Sequence, residues 1–115
     1  MIKRAHERFI QPRPNVRGGE GTAVFAHMLS EEERPASCRL FATITLPAGG
    51  SIGVHEHQGE REIFYILQGT ARYNDNGTAC TVGAGDTTMC RSGESHGIAN
   101  IGDDELVMVA VIWTE

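Results

Sequence analysis

At 115 residues the chain has the length of one domain, and its 40% hydrophobic content predicts a packed core rather than disorder. A formal charge of −5 argues against nucleic acid as a partner, because phosphate binding needs clustered Lys and Arg. No apolar run approaches the roughly 20 residues of a membrane helix, so no membrane association is expected.

In chain order, residues 1–21 read as an N-terminal arm and loop. Lys3, Arg4, Arg8, Arg13 and Arg17 are interleaved with Glu7 and two prolines, which suits a solvated segment better than a basic binding patch. Met1 to Ile10 carries charge with no apolar stretch behind it, unlike a secretory signal. Cys38, Cys80 and Cys90 are odd in number and match no zinc or redox spacing. They are read as reduced, buried, small apolar side chains, and a cytoplasmic location is expected.

From Thr22 onward, short β-rich runs alternate with glycine or asparagine turns, the pattern of an all-β sandwich or barrel with little or no helix. Strands are predicted at Thr22–Leu29, Arg39–Leu46, Ile52–His57 and Arg61–Leu67. Thr70–Tyr73 and Thr78–Val82 flank Asn74-Asp75-Asn76-Gly77 and form a predicted hairpin, since Asn and Gly accept the positive φ of a tight turn. Thr87–Cys90, Gly97–Ala99 and Glu105–Thr114 complete the set. The last run is apolar at most positions from Leu106 to Trp113, which predicts a strand buried on both faces.

Histidine carries the chemistry. His55 and His57 lie two apart on one predicted strand, so their side chains share a face with backbone positions about 7 Å apart. Glu62 follows across the Gln58-Gly59 turn. If it points inward, Phe64 and Ile66 line the same cavity, while Ile63, Tyr65 and Leu67 point outward and call for a cover, which suggests a homodimer. His96 arrives much later, in Gly93-Glu94-Ser95-His96. Three imidazoles and a carboxylate suit one divalent first-row transition metal, Mn, Fe, Ni, Cu or Zn, better than Ca or Mg. Four protein ligands on an octahedral ion leave two positions for water or a chelating molecule.

The spacing Gly49, five residues, His55-Glu56-His57, four residues, Glu62, six residues, Gly69 resembles the first motif of the cupin superfamily. Gly85, five residues, Arg91-Ser92-Gly93, two residues, His96, three residues, Asn100 resembles the second, with Arg91 where that family usually has proline. The motifs thus occupy residues 49–69 and 85–100 of a single domain spanning residues 1–115.

The resemblance implies a jelly-roll-like β-barrel with metal on His55, His57, Glu62 and His96, with Mn or Fe favoured. It also implies tight turns at Gly69 and Gly85, and an Asn100 that closes the turn after the second motif. A metal-dependent enzyme acting on a small oxygen-bearing molecule is the expected function, with dioxygenase-like oxidation slightly ahead of isomerase or lyase chemistry. The competing class is a module that binds or senses a small ligand, such as a sugar or metabolite, without turnover.

Arg91 and Arg39 each read two ways. Either could hold a substrate carboxylate or phosphate, or be a surface arginine in an ion pair, and the second is preferred. Cys90 and Phe41 are possible cavity residues, with burial the default. His6 and His27 read as exposed or packed side chains. No residue is singled out as a general base.

Overall fold

Alternating apolar residues between turn residues produce ten strands in the computed structural model, which describes all 115 residues. They are β1 (Phe9–Pro14), β2 (Thr22–His27), β3 (Cys38–Leu46), β4 (Ser51–Glu56) and β5 (Glu60–Gln68), followed by β6 (Thr70–Asp75), β7 (Thr78–Gly83), β8 (Thr87–Cys90), β9 (Ser95–Asn100) and β10 (Leu106–Thr114). One antiparallel sheet has the order β1-β2-β3-β10-β5-β8 and the other β4-β9-β6-β7. Helix is confined to single 3-10 turns at Ala5–Glu7 and Val16–Gly18. The architecture is all-β, two sheets of jelly-roll type closed on one another, as the strand pattern predicts.

The core lies between the sheets and follows the period of two. On β3, Ala42, Ile44 and Leu46 are buried, while Thr43 and Thr45 turn to the other face. On β10, Leu106, Met108 and Ala110 are fully buried, joined by Phe64 and Ile66 of β5. A buried side chain of this size contributes about 1.5–3 kcal/mol, so this layer carries much of the fold's stability.

Turn chemistry sets the registers. Asp75 pairs with Thr78, leaving Asn76 (φ 52°) and Gly77 (φ 93°) as a two-residue loop with both residues left-handed. Asn100 is buried; its amide donates to the carbonyls of Leu46 and Asp104, and its oxygen accepts from Gly102 N–H. It therefore staples the loop that follows the second motif.

Two expectations need correction. The arm is part of the sheet: β1 pairs along its whole length with β2, from Phe9 opposite His27 to Pro14 opposite Thr22. Its two prolines are tolerated because β1 is an edge strand. β10 is buried on one face only, because no second layer of this chain covers Val107, Val109 and Val111. Their neighbours in register are Thr45, Thr43 and Phe41 on β3, with Tyr65 and Ile63 on β5. Tyr65 and Leu67 are exposed.

Candidate metal centre

β4 delivers His55, His57 follows at its end, β5 delivers Glu62, and β9 delivers His96. His55 pairs in register with His96 across β4 and β9. Their donor atoms, together with those of His57 and Glu62, all lie within 4.8 Å of one another. His57 Nε2 stands 3.1 Å from each of His55 Nε2, His96 Nε2 and Glu62 Oε1, and His96 Nε2 stands 3.0 Å from Glu62 Oε1. Adjacent donors around an octahedral ion with bonds of ~2.1 Å are ~3.0 Å apart, so these edges fit one first-row divalent ion. The His55–Glu62 separation is wider, 3.9 Å.

Each imidazole is held through its other nitrogen. His55 Nδ1–H donates to Gly53 O at 2.8 Å, and His57 Nδ1–H donates to Glu60 Oε2 at 2.7 Å. Both acceptors can only accept, so in the neutral rings Nε2 keeps its lone pair for the centre. His96 Nδ1 shares a hydrogen bond of 2.8 Å with Tyr73 Oη, and its ring lies flat on Phe64 at 5.1 Å. His57, Glu62 and His96 are almost fully buried.

Burial disfavours the charged imidazolium and lowers the pKa of His55, despite the opposing Gly53 carbonyl. Burial works against Glu62 too, but hydrogen bonds from His57 and His96 outweigh it and hold the carboxyl below its ordinary value. Three imidazole lone pairs and an ionised carboxylate form a donor set that can hold a divalent ion.

Above the cluster lies a cavity of about 200 Å³. Phe25, Leu40, Ile44 and Ile52 form its apolar wall, and Arg13, Arg17 and Arg39 line it as well. Arg39 is ion-paired with Glu60, so Arg39, Glu60 and His57 form a chain leading to the cluster. Arg13 lies over the Phe25 ring at 4.8 Å.

The cavity differs from the sequence expectation in its walls. Phe64 and Ile66 do point inward, but they are packed into the core and do not border the cavity. Phe41 has the opposite parity to Leu40 and Ile44, so it faces away. Cys90 is buried opposite Glu62 in register, outside the cavity. Burial, with help from Glu94 and Glu62, pushes its thiol up to about 11, which disfavours the thiolate. Cys38 is only partly buried and Cys80 is exposed, against the expectation for all three cysteines.

Arg91 is exposed and outside the cavity. Its backbone N–H, which proline would lack, donates to Glu94 Oε1 at 2.8 Å and closes the Arg91–Glu94 turn. That turn is pinned to the first motif, Gly93 N–H donating to His57 O and His57 N–H to Glu94 O. His27 bonds to Gln11 and stacks beside Phe9, away from the cluster. Arg39 does line the cavity. Arg13 and Arg17 were not expected in the site, and Glu60 enters it as the partner of His57. For Leu40 and Ile44 the apolar–polar alternation of β3 was the available signal; for Arg13 and Arg17 no local signal exists.

The family described as "Cupin domain" matches residues 42–112. A Thermotoga maritima protein named "Oxalate-binding protein" is 45% identical over 112 residues, covering 97% of this chain and 93% of that one. The crystal structure of a Thermotoga maritima protein described as a "predicted oxalate decarboxylase" superposes with a TM-score of 0.94 at 43% identity, over 100% of both chains. A Klebsiella pneumoniae protein with a double-stranded β-helix domain shares the fold, with a TM-score of 0.70 at 23% identity, over 86% of this chain and 83% of that one. With a family match over more than half of its length, and a relative at 45% identity along nearly all of it, this chain belongs to the cupin family.

Proposed function

We propose that this protein binds oxalate, or an equally short dicarboxylate, at a divalent transition metal held by His55, His57, Glu62 and His96. The observation that carries the reading is the cationic lining of the cavity directly above the donor cluster. At about 200 Å³ the space is smaller than the ~300–1,000 Å³ of sites for drug-sized ligands, so it suits a molecule of few heavy atoms. Guanidinium groups match carboxylate geometry, which selects anions. The name of the Thermotoga maritima relative points to the same ligand class.

A bound metal supplies a Lewis acid for the carboxylate oxygens. His55, His57, Glu62 and His96 would hold the ion, and four protein donors would leave coordination positions for the ligand. The chain's own residues do the rest. The arginines balance negative charge, Phe25 and Ile44 exclude water, and Glu60 fixes the His57 ring.

Binding is favoured over turnover because both carboxylates lining the cavity are engaged, Glu60 by His57 and Arg39 and Glu62 by the histidines. No free base faces the ligand. The oxidative chemistry expected from the donor set is the second outcome of the same experiment. Calorimetric titration of oxalate into Mn-loaded and metal-free protein is expected to show binding by the loaded form alone. Equal binding by both forms, or none by either, overturns the reading; consumption of oxalate with O₂ uptake replaces it with an enzyme.

The uncovered apolar face of the six-stranded sheet supports a second proposal, that two copies of the chain pair through Val109, Val111, Ile63, Tyr65 and Leu67.

A further inference from the structure

The turn that links β1 to β2 is built backbone against backbone onto β4, the strand that carries His55. A Cβ on Gly53 would stand 2.0 Å from Arg17 O, and one on Gly19 would stand 2.2 Å from Ser51 O. No side chain other than hydrogen fits at either place, so the turn rests directly on the strand. Asn15 reinforces it, its side-chain amide donating to Gly19 O at 3.0 Å and its N–H to Gly21 O at 2.9 Å. Val16 anchors the turn in the core.

Within this clamped turn Arg17 adopts φ 54° and ψ 32°, the left-handed region that glycine prefers. A residue with a Cβ in that conformation is strained, and the glycine that would relieve the strain stands next in sequence, at Gly18. Arg17 is among the residues that line the cavity above the donor cluster. Of the three arginines there, Arg39 is neutralised by Glu60, while neither Arg17 nor Arg13 takes part in an ion pair. Arg13 is occupied by the Phe25 ring. Arg17 is thus an exposed arginine at the cavity with no ion-pair partner, and its backbone is fixed against β4.

We propose that Arg17 is the specificity-determining residue of the cavity, taking the outer carboxylate of a short dicarboxylate whose other end lies at the donor cluster. The proposal rests on the reading of the cavity as a dicarboxylate site. The length of the ligand follows from the fixed turn: a longer diacid would have to displace backbone packed on β4. The charge preference follows from Arg17 itself, since a monoanion of the same size leaves the guanidinium without a partner.

The test is calorimetric titration of Mn-loaded protein with oxalate, glyoxylate and succinate, for the wild type and for Arg17→Gly and Arg17→Lys. Arg17→Gly relieves the backbone, so its thermal midpoint should equal or exceed that of the wild type. Its oxalate affinity should fall on the order of tenfold to a hundredfold, the range of a lost charge-assisted hydrogen bond. Glyoxylate affinity should change far less, and Arg17→Lys should lie between wild type and Arg17→Gly for oxalate. Wild-type oxalate affinity in Arg17→Gly overturns the role of Arg17 while leaving the site reading intact, and so does wild-type succinate binding as tight as oxalate. Absence of oxalate binding by the loaded wild type overturns both.

Discussion

His57 and Glu60 are joined by a buried hydrogen bond of 2.7 Å from Nδ1–H to Oε2, and the same carboxylate is ion-paired with Arg39 at the cavity wall. The bond fixes the ring so that Nε2 faces the other three donors. Glu60→Gln keeps the shape and removes the charge. Metal affinity should fall about 10–100-fold, the usual cost of losing such a support. A competition titration against a chelator reads it, and the far-ultraviolet spectrum should not move.

Phe64 serves both the core and the centre, since it is fully buried and stacks on His96. Phe64→Ala should cost about 3–5 kcal/mol in urea unfolding, from lost burial plus the cavity left behind. It should also weaken metal binding by freeing the His96 ring. Loss of stability with unchanged metal affinity would show that Tyr73 alone positions His96.

Gly53→Ala should be strongly destabilising, because the new Cβ meets the Arg17 carbonyl, which is backbone and cannot rotate aside. A fall in thermal midpoint of several degrees is expected, whereas Gly77→Ala, where a Cβ meets nothing, should suffer only from its positive φ of 93°. Comparing the two melting curves separates a steric clash from conformational strain.

Stability of the metal-free protein should fall on acidification. His55 and His27 both have lowered pKa values, burial being the main cause in each, with Arg34 and Arg13 adding to it for His27. As pH drops below the ordinary value of 6.5, the unfolded chain takes up protons that the folded chain refuses. The stabilisation is therefore complete above 6.5 and lost as pH falls towards the lower folded values. Glu62, also lowered, acts with the same sign below its ordinary 4.5. Melting curves from about pH 7.5 to about pH 5 should shift steadily downward, and an upward shift would contradict the burial of His55. Chelation at neutral pH should lower the midpoint but leave the sheets intact, because the core of 15 buried residues does not depend on the ion.

The proposed pairing of two copies makes a separate prediction. Light scattering after size exclusion should give twice the chain mass of 12.5 kDa, and Tyr65→Glu combined with Leu67→Glu should return the monomer. Both side chains are exposed, so a monomeric wild type would remove the proposal without implicating the fold.

What could be read from the chain alone was local. Strand positions followed from the period of two, and the Asn76-Gly77 hairpin from the positive φ that those residues accept. His55 and His57 fall on one side because they are two apart, and the spacing of the two motifs pointed to the four donors. The tertiary structure decided what depends on distant segments meeting. Arg13 and Arg17 belong to a stretch whose composition suits solvent, and they reach the cavity only because β1 pairs with β2 and two glycines let the turn touch β4. Glu60 became the partner of His57 through the turn between β4 and β5, and Phe41 faced away because β3 buries its even-numbered residues. Parity, turn chemistry and motif spacing are properties of neighbouring residues. The charge and width of the cavity arise from contacts between segments far apart in the chain, which no window along the sequence contains.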